Sequence, residues 1–374
     1  MQFIDLKTQF ERIEADVTTR VDAVLRSQKY VMGPEVKELE GKLAEFAGTK
    51  YAFTCASGTD ALVIPLMAYG LKKTDAVFVP SFTFFASAES ITLAGGTPVF
   101  VDIEEESFNI DPNHLEKEIA RIVAEGELTP RGIIPVDLFG RLANYEAIAE
   151  IAKKYNMFVL EDACQGFGAA RAGKRACSFG NVAATSFFPA KPLGCYGDGG
   201  AIFTDDDELA SLITSIRVHG QGTDKYDNVR IGVNGRFDTI QAAVVLAKLQ
   251  IFENELVERA RVAAYYSENL SDVLRTPLEV EGDISAWAQY TLVAKDEEER
   301  DRILEGMKER GIPSAVYYPV PIHQSTAYRD LGYTNVSLPV SENLASRVFS
   351  VPMHPYLSEE DMDKVILAIK ESLS

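Results

Sequence analysis

The segment between Phe158 and Phe203 decides the fold, because two apolar runs in it each end in chemically reactive residues: FVLEDACQ at 158–165 and TSFFPAKPLGCYGDGGAIF at 185–203. The first run, Met157–Leu160, has the length of a buried strand and is followed by two acids, the second of them Asp162. The other run, Val182–Phe188, ends just before Lys191 and a glycine-rich turn. Open sheets bind ligands at the carboxyl ends of their strands, so the pattern predicts that Asp162 and Lys191 face a ligand.

The chemistry of this pair indicates pyridoxal phosphate. A lysine amine forms a Schiff base with this cofactor, and a carboxylate keeps its ring nitrogen protonated so that the ring takes up electrons. Ser186, five residues before Lys191, is placed to help bind the phosphate. Taken singly, Asp162 could cap a loop and Lys191 could be one of 37 surface cations, but the motifs occur together and in order. A P-loop is excluded, because Ala190 and Pro192 flank the lysine.

The same segment resembles the active site of fold-type I, pyridoxal-phosphate-dependent aminotransferases, and more narrowly the nucleotide-sugar aminotransferases of the DegT/DnrJ/EryC1/StrS family. The resemblance runs from FIDL at 3–6 through YVMGPE at 30–35 to PMHPY at 352–356. It implies an α/β fold, with a mostly parallel seven-stranded sheet between helices in a large domain and a smaller α+β carboxyl-terminal domain. The members that it resembles most work in bacterial O-antigen synthesis and transfer the amino group of L-glutamate to a 3-keto UDP-glucuronate sugar. The resemblance also implies a homodimer whose subunits share active sites.

The cofactor-binding residues are expected in three places. Ser57, Gly58 and Thr59 follow a predicted strand and begin a helix, where free N–H groups and the helix dipole favour an anion. Without the family, an ordinary Ser/Thr helix N-cap would be the preferred explanation of these residues. The resemblance assigns Phe84 to stack on the cofactor ring, and Gln165 to the side of its 3-hydroxyl.

The resemblance assigns the remaining roles with the same motifs. Asp162 is expected to bind the ring nitrogen, and Lys191 to hold the cofactor and then move a proton as a free base. Asn234 is expected to reach the phosphate in the partner subunit. Substrate-side residues are expected at six further positions: Arg217, His219, Arg236, Tyr317, Tyr318 and His323. Arg236 is the best candidate for a sugar carboxylate, because a guanidinium matches a carboxylate in a two-point fork. Tyr317 stands where the family has a histidine, which leaves the exact sugar open.

Size and composition restrict the alternatives. A chain of 374 residues predicts two domains, with expected bounds of 1–250 for the large domain and 251–374 for the small one. A net charge of −19 makes non-specific nucleic-acid binding a poor hypothesis. Four cysteines and four histidines show no metal-binding spacing, and disulfides are not expected. No apolar run of membrane-spanning length and no signal-peptide pattern appears, so a cytoplasmic location is expected.

Hydrophobic periodicity predicts the alternation of strands and helices that a sheet covered on both faces requires. The predicted strands are Tyr51–Cys55, Val77–Val79, Pro98–Val101, Ile133–Val136, Met157–Leu160, Ala183–Phe187 and Ala201–Thr204. The chain is expected to begin with two amphipathic helices, and a long helical stretch over Thr239–Leu270 is expected to be broken or bent. A strand at Gln289–Ala294, a helix at Glu297–Arg310, a Tyr/Pro-rich loop at Val316–His323 and a last helix at Ser358–Ser374 complete the smaller domain.

Two other functions compete with aminotransfer to a keto UDP- or dTDP-sugar. A cofactor-dependent sugar dehydratase of the same fold typically has a histidine in place of the lysine, and Lys191 is present here. A regulatory protein that senses the cofactor or a sugar would need a DNA-reading helix pair or a basic face. Neither feature is visible in the sequence.

Overall fold

The computed structural model describes residues 1–224 and 226–373, and its centre is a seven-stranded sheet. The strands of this sheet are β1 (Tyr51–Cys55), β2 (Asp75–Pro80), β3 (Thr97–Val101), β4 (Thr129–Ile133), β5 (Phe158–Asp162), β8 (Val182–Ser186) and β9 (Gly200–Thr204), in the spatial order β1-β9-β8-β5-β4-β2-β3. Only β9 runs against the others, because it pairs antiparallel with both β1 and β8. The predicted seven-stranded, mostly parallel sheet is therefore confirmed.

Helices cover both faces of this sheet. In the described residues they are α1 (Leu6–Ser27), α2 (Pro34–Ala47), α3 (Gly58–Ala68), α4 (Ala86–Leu93), α5 (Pro112–Glu125), α6 (Tyr145–Tyr155), α7 (Asp207–Ile216), α8 (Thr239–Leu270), α9 (Glu297–Glu309), α10 (Thr326–Asp330), α11 (Pro339–Arg347) and α12 (Glu359–Leu373). Neighbouring residues of one strand serve opposite faces: Phe78 packs in the core under α2, α5 and α6, while Val77 and Val79 pack in the core under α3 and α7. None of the helices in the described ranges is both long enough and apolar enough to cross a bilayer.

The carboxyl-terminal part has a core of its own, around the pair of antiparallel strands β11 (Tyr290–Val293) and β12 (Val348–Val351). The expected break in the long helix is absent, because α8 is assigned as one helix of 32 residues. Its first half packs in the core of the large sheet through Val245 and Phe252, and its second half packs in the smaller core through Val262 and Tyr266. One continuous helix therefore packs in both cores, and the domain boundary near 250 stays a prediction.

The structure shifts one predicted strand and adds several short elements. The strand expected at Ile133–Val136 pairs over Thr129–Ile133, although Val136 still bridges to Asp162. Pro135 has no N–H to continue the ladder, which explains why regular pairing ends where the apolar run continues. The short strands β6 (Ala170–Arg171), β7 (Lys174–Arg175) and β10 (Asp283–Ile284) had no sequence signal, because two-residue pairings depend on tertiary contacts.

Candidate active site

A cavity of about 420 Å³ lies at the carboxyl ends of β5 and β8, where the sequence places its reactive residues. Ten of the fifteen predicted site residues line it: Ser57, Gly58, Thr59, Phe84, Asp162, Gln165, Ser186, Lys191, Tyr317 and Tyr318. The other five, which are Arg217, His219, Asn234, Arg236 and His323, are not among its lining residues. One protomer thus forms the centre of the site but leaves most of the expected basic side chains outside it.

Asp162 ends β5 and is only 3% exposed. Its carboxylate accepts hydrogen bonds from the Ser87 hydroxyl at 2.7 Å and from the backbone N–H of Cys164 at 3.2 Å. Both donors are neutral, and in the described residues Asp162 forms no ion pair. A buried carboxylate is stabilised by a cationic partner, and a protonated pyridine nitrogen would be such a partner.

Lys191 belongs to the turn that follows β8, and its backbone N–H donates to the carbonyl of Phe188 at 2.9 Å. Burial lowers the pKa of the Lys191 amine, while the nearby Cys164 and Asp162 oppose this effect. A lowered pKa increases the fraction of neutral amine near neutral pH, and the neutral form is the one that bonds a carbonyl carbon or accepts a proton.

The amino end of α3 lies against the end of β8. Ser57 is the N-cap of α3, and its hydroxyl accepts from the backbone N–H of Asp60 at 3.0 Å. A Cβ atom at Gly58 would lie 2.6 Å from the Cβ of Ser186, so only glycine allows this approach. The cavity therefore combines the free N–H groups of a helix start with two serine hydroxyls, which is a donor set suited to a phosphate.

Aromatic residues form part of the cavity wall. The Phe84 side chain is 54% exposed, and its ring centre lies 6.2 Å from that of Tyr318. Gln165 connects this wall to the sheet, because its amide nitrogen donates to the Tyr318 hydroxyl at 3.1 Å and its oxygen accepts from the Phe139 N–H at 2.8 Å. An exposed ring on the wall of a cavity is available to stack on a flat ligand.

Arg217 is one of the predicted substrate residues that lie outside the cavity lining. Its side chain is buried and bonds the Glu40 carboxylate at 2.5 Å and the carbonyl of Thr54 at 2.8 Å. Glu40 also accepts from the N–H and hydroxyl of Thr54. Arg217 therefore braces the end of β1, just before Ser57, and lies outside the cavity lining of its own chain, so its substrate role stays a prediction.

His323 has a similar bracing role. Its ring is 1% exposed, lies 2.7 Å from the Ser81 hydroxyl through Nδ1, and lies 3.2 Å from Glu342 through Nε2. Burial lowers the pKa of His323, and Glu342 opposes this shift. The ring ties the loop that carries Tyr317 and Tyr318 to the end of β2, and its role in substrate contact stays a prediction.

His219, Asn234 and Arg236 lie together on an exposed face outside the cavity. A bridge pairs Val218 with Asn234, and the Arg236 Nε donates to the Asn234 side chain at 2.8 Å. These residues do not reach the cavity of their own chain. Their assignment as site residues depends on a second subunit.

Residues that the sequence analysis missed complete the cavity. Ser87 lies three residues after Phe84, at the start of a helix, so the spacing could have indicated a shared face. Asp198, within the glycine-rich turn, also lines the cavity. Gln289 comes from the smaller domain and had no local signal, because nothing near it in the chain relates it to the sheet.

Fold and cavity together are those of the fold-type I class of transferases. The model of the DegT/DnrJ/EryC1/StrS aminotransferase family matches residues 11–370. A UDP-2-acetamido-2-deoxy-3-oxo-D-glucuronate aminotransferase of Pseudomonas aeruginosa is 47% identical over 371 residues, which cover 98% of this chain and 99% of that protein. The chain belongs to the DegT/DnrJ/EryC1/StrS aminotransferase family.

Solved structures agree with this assignment. The crystal structure of a DegT DnrJ EryC1 StrS aminotransferase from Brucella abortus has a TM-score of 0.97 and 49% identity, and the match covers 100% of both chains. The ntda protein from Bacillus subtilis, crystallised with bound cofactor PMP, has a TM-score of 0.88 and 28% identity over 99% of this chain and 83% of that one.

Proposed function

We propose that this aminotransferase uses pyridoxal phosphate to move the amino group of L-glutamate to UDP-2-acetamido-2-deoxy-3-oxo-glucuronate, in a route to O-antigen or a related polysaccharide. The observation that carries the proposal is the placing of Lys191 and Asp162 in one cavity beside the start of α3. The sugar is that of the Pseudomonas aeruginosa relative. Transfer of the amino group converts glutamate into 2-oxoglutarate and the sugar ketone into an amine.

The residues present fit the cofactor at both of its ends. When bound, pyridoxal phosphate supplies an aldehyde for the amine of Lys191 and a ring that takes up electrons. Asp162 has no cationic partner in the described residues, so it would bind the ring nitrogen. Ser57, Ser186 and the first N–H groups of α3 would hold the phosphate. Phe84 would cover a face of the ring, and Tyr318, bonded to Gln165, lies beside Phe84 on the same wall.

Lys191 moves the proton. Its amine takes the proton that leaves the amine-bearing carbon of glutamate, and later returns a proton to the former keto carbon of the sugar. Burial lowers the pKa of this amine and so supports the neutral state that the first of these transfers requires. The bracing of neighbouring loops by Arg217 and His323 keeps the cavity in shape.

An assay of the wild-type protein with candidate substrates tests the proposal directly. We expect it to convert keto UDP-glucuronate sugar and glutamate into 2-oxoglutarate and an amino sugar, which mass spectrometry of the product identifies. Matching keto UDP- and dTDP-hexoses, with a neutral hydroxymethyl group, are the comparison substrates. A preference for a neutral hexose would refute the uronate assignment, and no reaction with any keto sugar would refute the nucleotide-sugar function.

Arg236→Met should remove the preference for the uronate. Arg236 is exposed, and in the described residues its guanidinium makes no ion pair, so it is available for a carboxylate from a substrate in the partner's cavity. Losing a charged hydrogen-bonded pair of this kind costs about 1.5–3 kcal/mol, which is roughly ten- to a hundredfold in kcat/KM. The measurement is kcat/KM on the keto-uronate and on the matching keto-hexose.

In this variant kcat/KM should fall for the keto-uronate and stay unchanged for the keto-hexose. Arg121→Met serves as a charge-matched control, because Arg121 pairs with Glu118 and Glu125 on the surface of α5, outside the cavity. An equal loss on both sugars would assign Arg236 to the structure of its loop.

We also propose that the protein is a homodimer whose sites are shared. Asn234 and Arg236 lie outside their own cavity, and large apolar side chains are exposed in the same region, including Val31, Val229 and Ile231. Ile231 is 84% exposed, and a cluster of exposed apolar side chains is typical of a surface that a partner covers. An isologous dimer would bring the loop of one subunit to the cavity of the other. A cytoplasmic location stays a prediction from the sequence.

Hybrid dimers test whether each active site draws residues from both subunits. Mixing inactive Lys191→Ala subunits with Asn234→Ala subunits should restore about a quarter of the sites at random pairing, because each hybrid contains one site with neither change. Mixing Lys191→Ala with Asp162→Ala is the matched control, since both residues line the cavity of one chain and no hybrid site escapes. Activity that does not recover in the first mixture, with hybrids shown by mass spectrometry, would place Asn234 outside the partner's site.

A further inference from the structure

Helix α8 contains a buried lysine that the proposed reaction does not use. Lys248 is 1% exposed, and its Nζ atom has no hydrogen-bond partner in the described residues. Burial lowers the pKa of Lys248 to about 8, although Glu255 and Cys195 oppose the shift. The carboxylate of Glu255 is already bound by the side chains of Gln9 and Tyr356. A charged amine in such a place costs stability, so a reason for its presence must lie in another interaction.

That interaction is with Tyr196. The Lys248 Nζ lies 4.4 Å from the centre of the Tyr196 ring, which is cation–π geometry. The ring of Phe10, from α1, meets the same tyrosine edge-on at 6.2 Å. The backbone N–H of Tyr196 donates to the Gln241 side chain at 2.8 Å. Gln241 and Lys248 are two helical turns apart and share a face of α8, so this face holds Tyr196 at two points.

Tyr196 lies in the glycine-rich turn that carries Lys191. Backbone hydrogen bonds close this turn: Cys195 donates to Phe187 at 2.7 Å, and Phe187 donates to Gly199 at 2.8 Å. Gly197 packs on the side chain of Gln241, where an added Cβ would lie 3.1 Å from the amide nitrogen. A displacement of Tyr196 would therefore shift the turn as a unit, and Lys191 is part of it.

We propose that Lys248 is a positioning residue, which holds Tyr196 and through it the turn that presents Lys191. The role of Lys191 in this inference rests on the proposed function. Lys248 itself is not among the residues that line the cavity. The competing explanation is that the lysine chain only fills space between α8 and the turn.

Four variants separate the two explanations. Lys248→Met keeps the volume and removes the charge, Lys248→Arg keeps a cation that stacks on aromatic rings, Tyr196→Phe keeps the ring, and Tyr196→Leu removes it. For each we would measure the Tm and the amide hydrogen exchange of residues 192–200 in the cofactor-free protein. With cofactor added, we would measure its dissociation rate, kcat and the KM for glutamate.

We expect Lys248→Met to raise the Tm at pH 7, because it removes an unpartnered buried charge, and yet to accelerate exchange in residues 192–200. Its kcat should fall about three- to thirtyfold with little change in KM, the range that a cation–π contact of this kind implies. Tyr196→Leu should show the same faster exchange and lower kcat, but its Tm should not rise because the buried charge remains; the double variant Lys248→Met/Tyr196→Leu should lose no more rate than either single variant. Tyr196→Phe should match the wild type, and Lys248→Arg should retain most of the rate.

The opposite pattern would overturn the proposal. Wild-type exchange and kcat in Lys248→Met, or losses that multiply in the double variant, would assign Lys248 to packing alone. The exchange measurement needs no cofactor, so it still decides whether Lys248 orders the turn if the wild-type protein proves to lack aminotransferase activity. That last result would refute the proposed function and leave the positioning contact to be judged on exchange.

Discussion

Lys191→Ala should abolish turnover and produce the largest loss of any single substitution in this chain. The variant removes both the amine that bonds the cofactor and the base that moves the substrate proton. Loss of a general base alone costs about 10²–10⁴-fold, and the loss of covalent attachment adds to it. The measurement is kcat under saturating glutamate and sugar, together with the visible absorbance of the protein after cofactor is added.

The wild-type protein should be yellow, and borohydride should bleach it and leave the cofactor attached to Lys191 in a peptide map. Lys191→Ala should show no such modified peptide, even where it still binds cofactor through Asp162 and the start of α3. Lys153→Ala, which changes an exposed lysine on α6, should behave as the wild type. Full turnover by Lys191→Ala would refute the catalytic assignment.

The lowered pKa of Lys191 also sets a direction for the pH dependence. A base must be unprotonated to accept a proton, so kcat should fall as the pH drops through the pKa of this amine. Since burial lowers that pKa, the fall should begin at a lower pH than for an exposed lysine.

Asp162→Ala should lower kcat/KM about a thousandfold, the second-largest effect. The carboxylate is buried and accepts hydrogen bonds from the Ser87 hydroxyl and the Cys164 N–H, which fix its position beside the expected ring nitrogen. Losing a charge that stabilises the transition state costs several kcal/mol in a site shielded from water. Single-turnover rates with glutamate measure the loss before the sugar is involved.

Gln165→Ala is the comparison for this substitution. Both polar groups of Gln165 are already used by the protein, one on Tyr318 and one on Phe139, so its removal should loosen the aromatic wall without taking a charge from the ring. The loss should be clearly smaller than for Asp162→Ala. Near-native rates in Asp162→Ala, with the fold intact by circular dichroism, would make the carboxylate structural.

The local pattern of the chain was enough to predict most of the sheet. Strands buried on both faces appear as short apolar runs, and helices of the large domain appear as amphipathic segments between them. Residues at strand ends follow from this pattern, which explains why Asp162, Ser186 and Lys191 were predicted together and lie in one cavity. β4 was displaced by several residues, because the loss of a hydrogen bond at Pro135 does not interrupt an apolar run.

The roles of the basic residues could not be predicted in the same way. Arg217 and His323 are residue types that often bind substrates from loops, yet each is buried and bonded to a residue far away in the chain: Glu40 for Arg217 and Ser81 for His323. Tertiary packing brings such partners together, and the sequence does not show which distant residues become neighbours. Tyr318 pairs with Gln165 for the same reason.

The sequence by itself determined the order of the strands of the large sheet and the residues that stand at their ends, because both follow from apolar patterns among near neighbours in the chain. Only the tertiary structure decided which charges face the cavity, which brace its walls, and that a lysine on α8 meets the turn of Lys191. Those facts depend on segments that are distant in sequence, and burial makes each of them costly unless a partner is found. The pairing of Lys248 with Tyr196 is one such fact.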